Sequence, residues 1–212
     1  MKRPYSRMSA LQLGGVVKDY AALLPHWTME HGASLARADE HVRQHICFDA
    51  LRTGGYRPWC VVGVLSAAKT QILFKYVELK FQNVSLKQHG TRIADVMRSM
   101  RREFSPDIGR PLDASEVFSL GEADVLDQNI RNVGCMCALA ALAAELGNAS
   151  KARNWCNRAL AETDGVSSVR RTLGQPLQDW EAEQRRYASG LLSALEQGTE
   201  REFLKGARGR GT

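Results

Sequence analysis

A run of small and apolar residues that stops at Gly147 constrains the fold more than any other feature of this chain. Residues 133–144 contain only Val, Gly, Cys, Met, Ala and Leu, and Ala152 and Ala159 continue the pattern beyond Gly147. A glycine directly after an apolar helical run is typical of a helix end. The pattern therefore predicts a helical hairpin within residues 122–163, with helices over residues 122–146 and 149–162.

The composition predicts a globular protein without a membrane span. Of the 212 residues, 44% are hydrophobic and 25% are charged, and at this length about 70% of the unfolded surface can be buried. The longest apolar stretches are far shorter than the roughly 20 residues that cross a bilayer. The basic N-terminus lacks the features of a signal peptide, and the five cysteines include no Cys-x-x-Cys pair. We therefore expect a cytoplasmic protein without a disulfide framework or a zinc finger.

Helical periodicity also dominates elsewhere, so we predict an all-α, predominantly helical fold. Ser9 is placed to cap a helix that ends near residue 24, and Ser34 is placed to open a second helix that ends near residue 52. Further helices are predicted over residues 91–104 and 175–197. Residues 56–86 contain strand-type residues but fit a 3.6-residue period better than strict alternation, so we favour helix, with a small β element as the alternative.

The clearest break in the chain is the segment Ser105-Pro106-Asp107 followed by Gly109-Arg110-Pro111. It predicts a basic helical region over residues 1–104, a linker at 105–112, a helical-hairpin region at 113–205 and a flexible tail at 206–212. Lys and Arg outnumber Asp and Glu by 16 to 8 in residues 1–104, against 13 to 15 in residues 105–212. The two halves are therefore expected to meet different partners.

Within the hairpin, the spacing of Leu139-Ala140, Leu146-Gly147, Ala152 and Ala159-Leu160 resembles one tetratricopeptide repeat, over residues 133–166. The resemblance implies that small residues let two antiparallel helices approach closely and that Gly147 lies in the turn. The aromatic residues that the family usually places in these helices are missing, and no second copy occurs 34 residues away. The alternative is an ordinary αα-hairpin within another helical fold.

The predicted helix over residues 91–104 has an apolar face and a basic face. Arg98, Arg101 and Arg102 cluster on the basic face, and Arg92 adds a charge near the start of the helix. These four arginines are candidates for binding nucleic acid or an acidic partner, since guanidinium groups neutralise phosphates. The alternative is a solvated face whose last-turn arginines complement the helix dipole.

The sequence contains few residue patterns that are typical of a metal site or a catalytic site. His41 and His45 are four residues apart on a predicted helix and would share one face, which makes them weak candidates for a metal site. No catalytic residue and no cofactor are predicted, because no nucleotide-binding or nucleophile motif is present. We therefore expect a non-enzymatic helical adaptor or assembly subunit that binds another protein, with a nucleic-acid-binding protein as the alternative.

Overall fold

The computed structural model describes residues 8–67, 77–78, 83–127, 133–161 and 177–208, and it shows a mixed α/β protein. The chain divides into two compact units. The sheet unit comprises residues 1–39, 43–62 and 75–112, and the helical unit comprises residues 40–42, 63–74 and 113–212. The predicted all-α fold is wrong, because an antiparallel sheet occupies much of the first half of the chain.

The sheet unit combines antiparallel strands with two helices. The strands are β1 (Thr28–Glu30), β2 (Ser34–Ala38), β3 (Val42–Ala50), β4 (Gly55–Val64), β5 (Val77–Glu78) and β6 (Val84–Ser85). They follow the order β1-β2-β3-β4-β5, and β6 also pairs with β4. The helices α1 (Ala10–Leu23) and α2 (His89–Glu103) contribute to the same core as the strands. Buried residues of α1, of α2 and of the strands therefore form one hydrophobic core.

The helix predicted from Ser34 to residue 52 is wrong, because this segment forms β2 and β3. Along β3, buried Val42, Ile46 and Phe48 alternate with partly exposed residues, which is the two-residue period of a strand with one face on a core. The strand alternative is correct for the first part of residues 56–86, where β4 lies. Most of the remainder lies outside the described residues. Pairing between neighbouring strands overrides the local helical preference here.

The first predicted helix is confirmed as α1. Ser9 and Gln12 form a reciprocal capping box, in which each side chain accepts a hydrogen bond from the other residue's backbone N–H. The inner face of α1 is buried in the core of the sheet unit through Leu13, Val16, Val17 and Tyr20. Leu23, which the apolar periodicity also places on this face, is 44% exposed.

The helical unit contains α3 (Ala114–Asp127), α4 (Val133–Glu145), α5 (Ala149–Ala161), α6 (Leu177–Gln197) and α7 (Glu200–Arg208). Every residue of α4 from Val133 to Ala144 is buried, and α4 packs against α3, α5, α6 and α7. Of the helix predicted over residues 122–146, residues 122–127 belong to α3 and residues 133–145 to α4, and residues 128–132 lie outside the described residues. The last helix, α7, includes the first three residues of the predicted tail.

The geometry of the turn between α4 and α5 explains why the sequence predicts this hairpin. Gly147 has a φ of 74°, a conformation that glycine adopts without steric cost. The backbone N–H groups of Asn148 and Gly147 donate to the carbonyl oxygens of Ala143 and Ala144 at 2.8 and 3.0 Å, which is the Schellman motif. Ala152 and Ala159 are fully buried on α5. Among the described residues, no helix is both long and apolar enough to cross a membrane.

Candidate interaction surfaces

The structure places the predicted arginine cluster on the outer face of α2. Val96, Met97 and Met100 are buried on the inner face of this helix, whereas Arg98, Arg101 and Arg102 are all exposed. Their positions span about 100° around the helix, because successive residues are separated by roughly 100°. Three guanidinium groups therefore project from one side of α2. Arg92 is partly buried and does not belong to this exposed group.

Acidic neighbours partly neutralise this basic face. Arg98 Nη1 lies 3.3 Å from Asp95 Oδ1, and Arg102 Nη2 lies 2.7 Å from Glu103 Oε1. Such solvent-exposed ion pairs contribute at most about 1 kcal/mol and exchange readily for other partners. Arg110 follows in the loop after α2 and is 3.9 Å from Asp107. The face is thus basic and accessible, with its arginines held only by weak pairs.

Four side chains that the sequence did not single out form a continuous hydrogen-bond chain in the sheet unit. The hydroxyl oxygens of Tyr20 and Tyr56 are 2.8 Å apart, and Tyr56 Oη is also 2.8 Å from His89 Nδ1. His89 Nε2 lies 3.0 Å from Asp19 Oδ2 at the surface. The chain links α1, β4 and the first residue of α2. Because its members are as many as 70 residues apart, no local sequence pattern could have identified it.

The tyrosine–histidine–aspartate chain has the connectivity of an acid–base relay, but its environment indicates a stabilising role. Tyr20 and Tyr56 are fully buried, so a substrate has no direct access to them in this structure. Burial raises the pKa of Tyr56 to about 12, although the hydrogen bond with Tyr20 and the positive charge of Arg92 oppose this effect. Burial also raises the pKa of Tyr20. Both phenols therefore stay protonated at neutral pH and satisfy each other's polar groups in the core.

A second buried polar cluster surrounds Arg37 on β2. This side chain is 5% exposed, its guanidinium lies 4.9 Å from the centre of the Trp27 ring, and its Nε donates to Gln44 Oε1 at 2.8 Å. The remaining guanidinium nitrogens donate to the backbone carbonyl oxygens of Pro106, Asp107 and Arg110. Arg37 thus fixes residues 106–110 within the sheet unit. Arginine suits this task because its planar head carries five donors.

His41 and His45, the weak candidates for metal ligands, do not share a helix face, because the helix predicted from Ser34 to residue 52 is wrong. His45 lies on β3 in the sheet unit, with Nδ1 3.8 Å from Glu30 Oε2, and burial lowers its pKa. His41 belongs to the helical unit, where Nδ1 lies 3.3 Å from Glu145 Oε2. Within the described ranges, no group of three His, Cys, Asp or Glu side chains is arranged to hold a metal ion.

The cysteines do not have the properties of nucleophiles in this structure. Cys60, Cys135, Cys137 and Cys156 are buried, and burial raises the pKa of each thiol to about 12. Cys47 is partly exposed, yet desolvation still raises its pKa to about 11. Since the thiolate is the reactive form, these side chains act as small packing residues at neutral pH.

The outer side of α3 carries an apolar stripe that the sequence reasoning missed. Leu120 and Leu126 are 40% and 52% exposed, and Ala123 between them is also exposed. The three positions are spaced i, i+3 and i+6, so they lie along one side of the helix. We call Leu120, Ala123 and Leu126 the α3 stripe. The spacing of Val117, Phe118, Gly121 and Val125 is compatible with one helical face, but only the structure shows that this face is buried and that both leucines lie outside it.

Comparison of the chain with protein-family models, with curated proteins and with solved structures finds no significant match. The tetratricopeptide-like interpretation of the hairpin therefore depends on the residues of α4 and α5 alone and stays a prediction. The most distinctive surfaces of the two units are the basic face of α2 and the α3 stripe.

Proposed function

We propose that the protein is a non-enzymatic adaptor that binds another protein through the α3 stripe. The observation that carries the proposal is the exposure of Leu120 and Leu126 on one side of a helix whose opposite face is buried. Isolated exposed leucines are common on protein surfaces. Here each leucine is three residues from the exposed Ala123, so the three side chains form a short apolar line that a partner helix can cover.

The free energy gained by burying the exposed parts of Leu120 and Leu126 is small enough for a reversible contact. Together, the exposed fractions of Leu120 and Leu126, 40% and 52%, correspond to about one leucine side chain. Burying that area contributes roughly 2 kcal/mol, which changes a dissociation constant about 30-fold. The stripe thus supplies the centre of an interface, and surrounding polar contacts supply its specificity.

Site-specific photocrosslinking in cells of the source organism tests this function. With a photoreactive amino acid at position 126, we expect one predominant crosslinked protein, because Leu126 is the more exposed leucine of the α3 stripe. The same label at Leu11, a leucine of the sheet unit that is 88% exposed, serves as the matched control and should give no such product. Leu120→Asp in the labelled protein should abolish the crosslink. A pattern identical at positions 126 and 11 would rule out the α3 stripe as a binding surface.

Nucleic-acid binding through α2 is a second candidate function, favoured by the distribution of charge. Counted over the printed sequence, the sheet unit holds 16 Lys and Arg against 8 Asp and Glu, and the helical unit holds 13 against 15. The exposed Arg98, Arg101 and Arg102 belong to the positive unit. Their weak ion pairs with Asp95 and Glu103 can be exchanged for phosphates, with release of counterions.

The salt dependence of binding tests the second candidate. If all three arginines contact phosphates of a duplex, R98E/R101E/R102E should reduce the slope of log K against log salt by about 3. Fluorescence anisotropy with duplex and single-stranded oligonucleotides, over a salt series, measures this slope. The variant R186E/R201E/K205E makes the same charge change at exposed positions of the helical unit and should leave the slope unchanged. Absence of salt-dependent binding at low ionic strength would exclude this function.

A further inference from the structure

We infer that the tyrosine–histidine–aspartate chain is a pH-sensitive link between α1, β4 and α2, which weakens when His89 gains a proton. The inference is independent of the proposed adaptor function. It follows from the number of hydrogen atoms that the chain can hold. Three contacts connect its four side chains: Tyr20 Oη to Tyr56 Oη at 2.8 Å, Tyr56 Oη to His89 Nδ1 at 2.8 Å, and His89 Nε2 to Asp19 Oδ2 at 3.0 Å.

When His89 is neutral, each of the three contacts receives one hydrogen atom. An ionised carboxylate such as that of Asp19 can only accept, so the ring carries its hydrogen on Nε2 and donates it to Asp19. His89 Nδ1 then accepts a hydrogen bond from the Tyr56 hydroxyl, and the Tyr56 oxygen accepts one from the Tyr20 hydroxyl. This tautomer satisfies every donor in the chain, which is the basis on which a histidine tautomer is assigned.

A protonated His89 brings a fourth hydrogen atom to the same three contacts. Both ring nitrogens then donate, and the Tyr56 oxygen accepts from Nδ1. One hydroxyl hydrogen, of Tyr20 or of Tyr56, is left without an acceptor. Among the described residues, the two hydroxyl groups have no hydrogen-bond partner outside the chain, and both tyrosines are fully buried. Protonation therefore creates an unsatisfied donor in the core, which is unfavourable.

The charged groups around His89 act in opposite directions. Asp19 on α1 favours the protonated ring, but its side chain is 60% exposed, so water weakens this attraction. Arg92 follows His89 by one turn of α2, and its positive charge acts on both tyrosines, so it opposes a second cation beside them. The loss of a buried hydrogen bond outweighs the gain of an exposed ion pair. Acid therefore weakens the link between α1, β4 and α2.

Long-range proton–nitrogen NMR correlation spectra of the full-length protein test the assigned tautomer. At about pH 8, above the range in which histidines usually titrate, we expect His89 to carry its hydrogen on Nε2 and to have an unprotonated Nδ1. A ring with its hydrogen on Nδ1 at this pH would overturn the inference, since Tyr56 could not then donate to it.

Hydrogen exchange of the full-length protein tests the effect of protonation on the fold. His89→Asn keeps an oxygen that can accept from Tyr56 but cannot gain the proton. When the pH is lowered from about 8 to about 5.5, we expect the protection factors of the α1 amides to fall roughly tenfold more in the wild type than in His89→Asn, the effect of one unsatisfied buried group. Burial lowers the pKa of His45, and any acid effect of that histidine is common to both proteins.

Two further variants complete the comparison. Asp19→Asn removes the carboxylate that favours the protonated ring, so its protection factors should fall further in acid than those of the wild type. His26→Asn replaces an exposed histidine of the same unit and, as the matched control, should behave like the wild type. An equal fall in the wild type and His89→Asn, or a smaller fall in Asp19→Asn than in the wild type, would overturn the inference. If His89→Asn does not fold, the tautomer and the Asp19→Asn comparison still decide the question.

Discussion

Trp155→Ala is expected to lower the free energy of unfolding by about 3–5 kcal/mol, the usual cost of removing a buried tryptophan side chain. Trp155 is 1% exposed and joins α5 to α3 through its bond to Glu122. Arg158 lies over its ring, with the guanidinium carbon 4.5 Å from the ring centre. The deletion therefore leaves a cavity and also releases the carboxylate that orients α3. Urea denaturation followed by circular dichroism measures the loss.

Trp155→Phe separates packing from hydrogen bonding in the same position. The phenylalanine keeps much of the buried aromatic area but cannot donate to Glu122, so we expect a loss of about 1 kcal/mol beyond the smaller ring's packing deficit. If the alanine variant lost no more stability than Ser150→Ala, an exposed position near the start of α5, the contact between α5 and α3 described above would be wrong.

Arg37→Met should destabilise the sheet unit by about 2–4 kcal/mol, because several buried acceptors lose their donor at once. Methionine preserves most of the side-chain volume but cannot bond to Gln44 or to the carbonyl oxygens of Pro106, Asp107 and Arg110. The effect stays below the sum of the separate bonds, since removing a buried charge also removes its desolvation cost. Equilibrium unfolding in urea gives the total effect.

Hydrogen exchange locates the effect of Arg37→Met. The backbone amides of residues 107–110 are expected to exchange faster in the variant than in the wild type, because the guanidinium no longer holds their segment. Arg98→Met is the matched control, since it removes an arginine whose side chain is 76% exposed, and it should change stability by no more than about 0.5 kcal/mol. An unchanged exchange rate at residues 107–110 in Arg37→Met would show that this arginine does not fix the segment.

Several local features were predictable because each depends on residues within one or two helical turns. The capping box of Ser9 and Gln12 marks the start of α1. Gly147 marks the end of α4, where its positive φ closes the hairpin. The periodicity of residues 91–104 separated the buried Val96 and Met100 of α2 from its exposed arginines. In each case the spacing of neighbours along the chain contains the structural information.

The sheet and the buried polar clusters depend on contacts between distant residues, which local spacing does not contain. Residues 34–52 satisfy a helical period, yet Arg37 and Gln44 face each other across β2 and β3, and Arg37 reaches carbonyl oxygens about 70 residues further along the chain. The two candidate binding surfaces also differ in whether the local sequence predicts them. The sequence by itself determined the basic face of α2, because helical periodicity is local. Only the tertiary structure decided that α3 buries Val117 and Val125 and leaves Leu120 and Leu126 exposed, because burial depends on which helices pack against it.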